Sequence, residues 1–153
     1  MASSLKNKST VCMLWKVPEH GVQAMRDFFE FHFEYMKEKS YREGELKLIQ
    51  YSISESPEYV EDLESWLEGK FPETTGRTIF HLFEICETPN GLHHHFIDAG
   101  KPGSFGSELI EMIKTYEIEW QTMNQMEKPV MSQIFQNGRQ WRRTKDRFLT
   151  LPH

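Results

Sequence analysis

The chain has only two cysteines, Cys12 and Cys86, and no CxxC pair. That excludes a disulfide framework and a cysteine-rich zinc site. Both thiols are expected to stay reduced in the core, on neighbouring strands where they could lie close. No stretch approaches the ~18 apolar residues of a membrane span, and "MASSLKNKST" lacks an apolar signal core. The expectation is a soluble, reduced, cytoplasmic protein with no membrane partner. The GxSxG, P-loop and GxGxxG patterns are absent, as are internal repeats and low-complexity segments. A formal net charge of -5 argues against general nucleic-acid binding.

What is present is globular. Hydrophobic residues make up 38% and charged residues 27%, enough for one core in one domain over residues 1–153. Phe at 11 and Met at 8 are numerous. They point to a roomy aromatic interior or a subunit interface, or equally to an ordinary aromatic core. Charge is uneven. Residues 57–76 carry Glu58, Glu61, Asp62, Glu64, Glu68 and Glu73 against Lys70. Residues 137–153 carry Arg139, Arg142, Arg143, Lys145 and Arg147 against Asp146.

"TVCMLWKV" (10–17) reads as a strand, followed by a helix with Val22, Met25, Phe29, Phe33 and Met36 on its stripe. "ELKLIQYSIS" (45–54) is a second strand. Residues 56–70 read as an inserted helix, with Ser56 as N-cap, Pro57 first and Gly69 as stop. "GRTIFHLFEIC" (76–86) is a third strand. Thr88 caps a helical region that is interrupted at Pro102-Gly103-Ser104 and then runs to about Met126. "KPVMSQIFQ" (128–136) is predicted as strand 4, with a basic hairpin or tail over 137–153 after the Asn137-Gly138 turn.

The core, about 9–136, is therefore βαββαβ. It is the α+β ferredoxin-like pattern with a four-stranded antiparallel sheet ordered 4-1-3-2 and an extra helix between strands 2 and 3. Strands 1 and 3 are apolar on both faces, as central strands should be. One face of such a sheet is covered by helices. The other is apolar and bare, and the natural cover is a second copy related by a two-fold axis.

"ETPNGLHHHF" (87–96) follows strand 3. As E-x4-L-x2-H-Φ it gives Glu87, Leu92, His95 and Phe96. Element order and this motif together resemble the dimeric α/β-barrel superfamily, specifically antibiotic biosynthesis monooxygenase-like domains, over roughly residues 9–136. The resemblance implies a homodimer and a cavity between sheet and helices. It also implies cofactor-independent oxidation of an aromatic or polyketide-like substrate, with no cofactor. The haem-degrading branch of that superfamily uses a histidine in its second helix. Residues 104–126 contain none, which sets haem degradation aside. The insertion at 56–70, the "AGKPGSFG" link and the tail depart from the family pattern.

Three consecutive helical histidines point about 100° apart and cannot readily converge on one ion. HExxH spacing is also absent, so no metal site is expected. His95, three residues after Leu92, is the one expected to turn inward. His95, His81 and His32 are the candidate catalytic bases, since neutral imidazole can take a phenolic proton near pH 7. Each also reads as an ordinary core histidine. Trp15, Tyr51, Trp66 and Trp120 are candidate walls for a small apolar or aromatic ligand. Trp66 would anchor the inserted helix as a lid, or simply pack it on the rim. Two functions stay open: a small-molecule enzyme, or a non-catalytic dimeric ligand-binding or stress-associated module.

Overall fold

The alternating apolar residues of "TVCMLWKV" put β1 (Ser9–Pro18) at the centre of a sheet. A computed structural model describes residues 8–127, with side chains through residue 121. A 3-10 turn at Glu19–Gly21 leads into α1 (Val22–Lys39). There follow β2 (Leu48–Tyr59), α2 (Leu63–Leu67), β3 (Thr74–Cys86), α3 (Pro89–Ala99), α4 (Phe105–Thr115) and β4 (Glu119–Glu127). The sheet is antiparallel throughout, in the order β2-β3-β1-β4. That is the expected 4-1-3-2 read from the other edge, and the fold is ferredoxin-like α+β.

Register sorts the two faces. Met13, Trp15 and Val17 lie opposite Leu82, Phe80 and Thr78 on the helix-bearing face. There Trp15, Val17, Phe80 and Leu82 join Met25, Phe28, Phe29, Phe105 and Ile118 in the main core. The other face carries Cys12, Leu14, Ile79, His81 and Phe83, all half-buried. Cys86 pairs with Ser9, and Cys12 with Phe83. The two thiols are therefore free but on opposite faces of the sheet, and do not lie close.

Four expectations need correction. The buried stripe of α1 runs through Met25, Phe28, Phe29, His32 and Met36. Phe33 faces solvent and His32 takes an inner position. Next, β2 continues through Ser56 and Pro57 instead of giving way to a helix. It is an edge strand, where a missing N–H costs no ladder bond. The inserted helix shrinks to the five residues of α2, and its N-cap is Asp62, whose carboxylate accepts from the Ser65 N–H at 3.0 Å.

The second helical region also ends early, at Thr115. Glu117 takes a left-handed backbone with φ 53°, which an L-residue helix cannot propagate. The Ile118 N–H closes the end on the Ile113 carbonyl at 3.0 Å. Trp120 consequently sits on β4, opposite Trp15. The strand thus begins nine residues before the predicted one. Residues 128–136 and the basic segment 137–153 lie outside the described residues.

Candidate functional site

The site forms where α1, α3 and α4 meet the helix-bearing face of the sheet. Thr88 starts α3 by accepting the Gly91 N–H on Oγ1 at 3.3 Å, while its own hydroxyl donates to the Glu45 carbonyl at 2.7 Å. Gly91 passes so close to the Leu46 backbone that a Cβ there would stand 3.1 Å from its carbonyl oxygen. This contact sets the helix against the sheet. Leu92 is buried completely. His95, on the same face, turns inward, while His93 and His94 face solvent.

His32 is 3% exposed. Its Nδ1 lies 2.6 Å from the Tyr51 hydroxyl. Its ring stacks on Phe28, with centroids 5.9 Å apart and an interplanar angle of 9°. Phe105 packs against the ring at 4.4 Å and reaches His95 at 5.8 Å. The two imidazoles are 6.0 Å apart. Tyr51 on β2 lies directly opposite Glu84 on β3. Glu84 is 1% exposed, and its Oε1 stands 3.8 Å from His95 Nε2.

Three atoms here break the rule that buried polar groups are paired. Trp15 Nε1, His32 Nε2 and Glu84 Oε1 have no hydrogen-bond partner among the described residues. Trp15, His32 and His95 line a cavity of about 420 Å³, walled mostly by apolar side chains such as Met13, Phe28 and Phe105, with Lys101 and Ser107 also on its lining. A mostly apolar cavity with a few polar residues on its wall is the usual form of a small-molecule site.

Burial dominates the electrostatics. It pushes the Glu84 carboxyl up to about 8. It pulls His32 down to about 3, assisted by His95. His95 falls to about 4, with Asp98 opposing the shift. The Tyr51 phenol is raised, first by burial and then by Glu84. Near neutral pH the cluster is therefore uncharged, and the Glu84–His95 approach is a contact between a carboxylic acid and a neutral imidazole, not an ion pair.

Of the residues singled out in the sequence, the fold gathers His32, His95, Trp15 and Tyr51 at this site. His81 sits on the opposite sheet face, across from Leu14 and Ser54. Trp66 packs with Tyr59 and Phe71 at centroid distances of 5.4 and 5.2 Å, and no residue of α2 lines the cavity. Trp120 is more than half exposed on the edge strand. Glu87, the acid of the motif, pairs with Lys8, and its N–H holds the Lys47 carbonyl at 2.8 Å. Glu84 and Phe105 complete the cluster, and neither was among the candidate catalytic or binding residues. Glu84 alternates with Leu82 and Cys86 in "LFEIC", and an acid on the buried face of a central strand is the signal that marks it. No group of three or more His, Cys, Asp or Glu side chains among the described residues is arranged to hold a metal ion. No helix among them is long and apolar enough to cross a membrane.

Fold and site together define a ferredoxin-like α+β domain with a largely apolar cavity bordered by His32 and His95, behind which stand Tyr51 and the buried Glu84. No family model matches the chain, and no curated protein does. Among solved structures, one described as a "putative antibiotic biosynthesis monooxygenase from Deinococcus radiodurans" is similar at 12% identity and a TM-score of 0.46. The match covers 82% of this chain and 98% of that one.

Proposed function

We propose that the chain is a small-molecule enzyme of the antibiotic biosynthesis monooxygenase-like type, acting on a flat apolar ligand that bears a hydroxyl. The observation that carries this reading is the pair of unpartnered polar atoms, Trp15 Nε1 and His32 Nε2, on residues lining an apolar cavity. An aromatic body matches the Phe28 and Phe105 walls. A ligand oxygen can accept from the indole N–H. If His32 Nδ1–H donates to the Tyr51 oxygen, Nε2 is left as an acceptor for a ligand hydroxyl. Loss of the hydroxyl proton gives an electron-rich oxyanion, the form that reacts with oxygen. We further propose that a second copy covers the half-buried apolar sheet face and closes a dimeric barrel.

A second reading, a binding module without catalysis, is favoured by one observation. Burial holds both imidazoles far below their ordinary range, so by themselves they are weak bases. Two measurements separate the readings. Calorimetry with 2-naphthol should show binding, weakened at least about tenfold by His32→Phe. An oxygen electrode with a naphthohydroquinone should then show uptake above the buffer rate. Binding without uptake leaves the module. No binding of 2-naphthol, and no ligand carried through purification by native mass spectrometry, overturns both.

A further inference from the structure

Glu84 poses a problem that ligand recognition does not solve. It is a fully buried acid without a hydrogen-bond partner on Oε1, and it is not among the residues lining the cavity. An unpaired buried carboxyl costs stability, so a purely structural site would favour an apolar residue. The groups facing it are Tyr51 from β2, His95 from α3 and Cys86 from its own strand. Of these, only His95 also lines the cavity.

His95 in fact borders two spaces. On one side is the cavity. On the other is a small surface pocket of about 40 Å³, where Lys39, Ser40 and Asp98 stand among apolar residues such as Met36, Leu46 and Leu48. A pocket of that size, with polar side chains on its wall and open to solvent, accommodates one or two waters. The histidine therefore stands between a largely apolar cavity and a surface pocket, with Glu84 3.8 Å behind it.

We propose that His95 is a proton relay joining the cavity to the surface pocket, with Glu84 as its proton store. This rests on the enzymatic reading above. In the first step a ligand O–H bond breaks heterolytically. The proton enters the His95 ring on one nitrogen, and Nε2 passes a proton to the Glu84 carboxylate. The products are a ligand oxyanion and a carboxylic acid, so charge is conserved and no oxidant is involved. Glu84 then returns the proton through His95 to water in the surface pocket. The 3.8 Å separation must close by under 1 Å or be bridged by one water, as is common for relays in unliganded sites. The raised Glu84 value supports the assignment, since an acid titrating near 8 is populated in both forms at working pH.

The test reads proton exchange directly and needs no substrate. The carboxylic C=O band of Glu84 is identified in the infrared at pH 6 as the band lost in Glu84→Gln. Its deuteration is followed after rapid mixing with D2O. In His95→Ala the band should persist and deuterate roughly a hundredfold more slowly, and free imidazole in the buffer should restore the rate. Deuteration as fast as in the unmodified chain overturns the relay, as does a slowed rate that imidazole fails to rescue. Absence of a Glu84 carboxylic band overturns the store. If His95→Ala fails to fold, His95→Gln serves in its place, with folding checked by core amide exchange. Because binding and oxygen uptake are read separately, a failed relay leaves the proposed function standing, and failure of that function leaves the exchange result intact.

Discussion

The two ends of the sheet bury one glutamate each and treat them in opposite ways. Glu58, at the end where β2 meets the insertion, is 5% exposed. It receives Lys16 at 2.7 Å, Arg77 Nε at 2.7 Å and the Thr75 hydroxyl at 2.6 Å. Arg77 extends the network to Glu119 at 2.5 Å. Burial opposes its ionisation, but the bonds from Lys16, Thr75 and Arg77 outweigh that and hold the carboxyl at about 2. Glu84, at the other end, is buried more deeply, meets no cation, and rises to about 8. Burial alone does not mark a functional acid. What marks it is burial without satisfaction, next to space that something can enter.

The largest effect should come from dismantling the satisfied end. Glu58→Ala removes the hub of a network and leaves Lys16 and Arg77 facing each other. Both keep about a third of their surface in water, which softens the loss relative to a fully buried pair. Urea denaturation at pH 7 should show a loss of about 2–3 kcal/mol, with 2-naphthol binding unchanged. A variant of full stability would mean that the network contributes little, and the contrast between the ends would fail.

The unsatisfied end should show itself in pH dependence. Folded Glu84 keeps its proton to about pH 8, whereas the free carboxyl ionises near 4.5. The unfolded chain binds fewer protons across that window, so stability falls as pH rises through it. His32 and His95 act the other way. They stay neutral down to about 3 and 4, while unfolded histidines protonate below 6.5, so stability falls as pH drops below 6.5. Below 6.5 two histidines outweigh one glutamate. The three groups together thus place a maximum near pH 6.5, followed by a decline of about 1–2 kcal/mol toward pH 8. Glu84→Gln should abolish that decline. If the decline survives the substitution, Glu84 is not its source.

Tyr51→Phe probes the same end from the neighbouring strand. It removes the hydroxyl 2.6 Å from His32 and leaves Nδ1 buried without a partner. The expected cost is about 1–2 kcal/mol by urea denaturation, accompanied by weaker 2-naphthol binding because the His32 tautomer is no longer fixed. Unchanged affinity would show that His32 does not orient the ligand.

How far the sequence shows this contrast depends on the kind of signal. Strand alternation and the β-α order make the topology legible, because period 2 and period 3.6 are properties of local side-chain spacing. The inward turn of His95 follows from its position relative to Leu92. The end of α4 is not legible. Phe105, Leu109, Met112, Tyr116, Trp120 and Met123 keep a helical period across a break that lies in the backbone of Glu117, with neither Gly nor Pro to announce it. The start of the insertion misleads for the opposite reason. Ser56-Pro57 is good helix-start chemistry, but an edge strand accepts the same residues. The pairing of Tyr51 with Glu84, and of Glu58 with Lys16 and Arg77, depends on register between strands far apart in the chain, which local patterns do not encode.

The smallest effect should come from Trp66. It lies beyond Glu58, at the satisfied end, in a cluster where Tyr59, Trp66 and Phe71 pack chiefly on one another. Trp66 keeps 40% of its surface exposed, and its neighbours Leu63 and Leu67 are more exposed still. Truncation therefore forfeits two edge-on aromatic contacts and little burial, about 0.5–1 kcal/mol. The cavity lies on residues of β1, β3 and the three larger helices, none of them in the insertion. Trp66→Ala should leave 2-naphthol affinity within about twofold of the unmodified chain, a difference below ~0.5 kcal/mol. A tenfold loss of affinity at nearly unchanged stability would restore the lid expected from sequence. It would also join the two ends of the sheet into one functional unit, and the division between a structural glutamate and a reactive one would have to be abandoned.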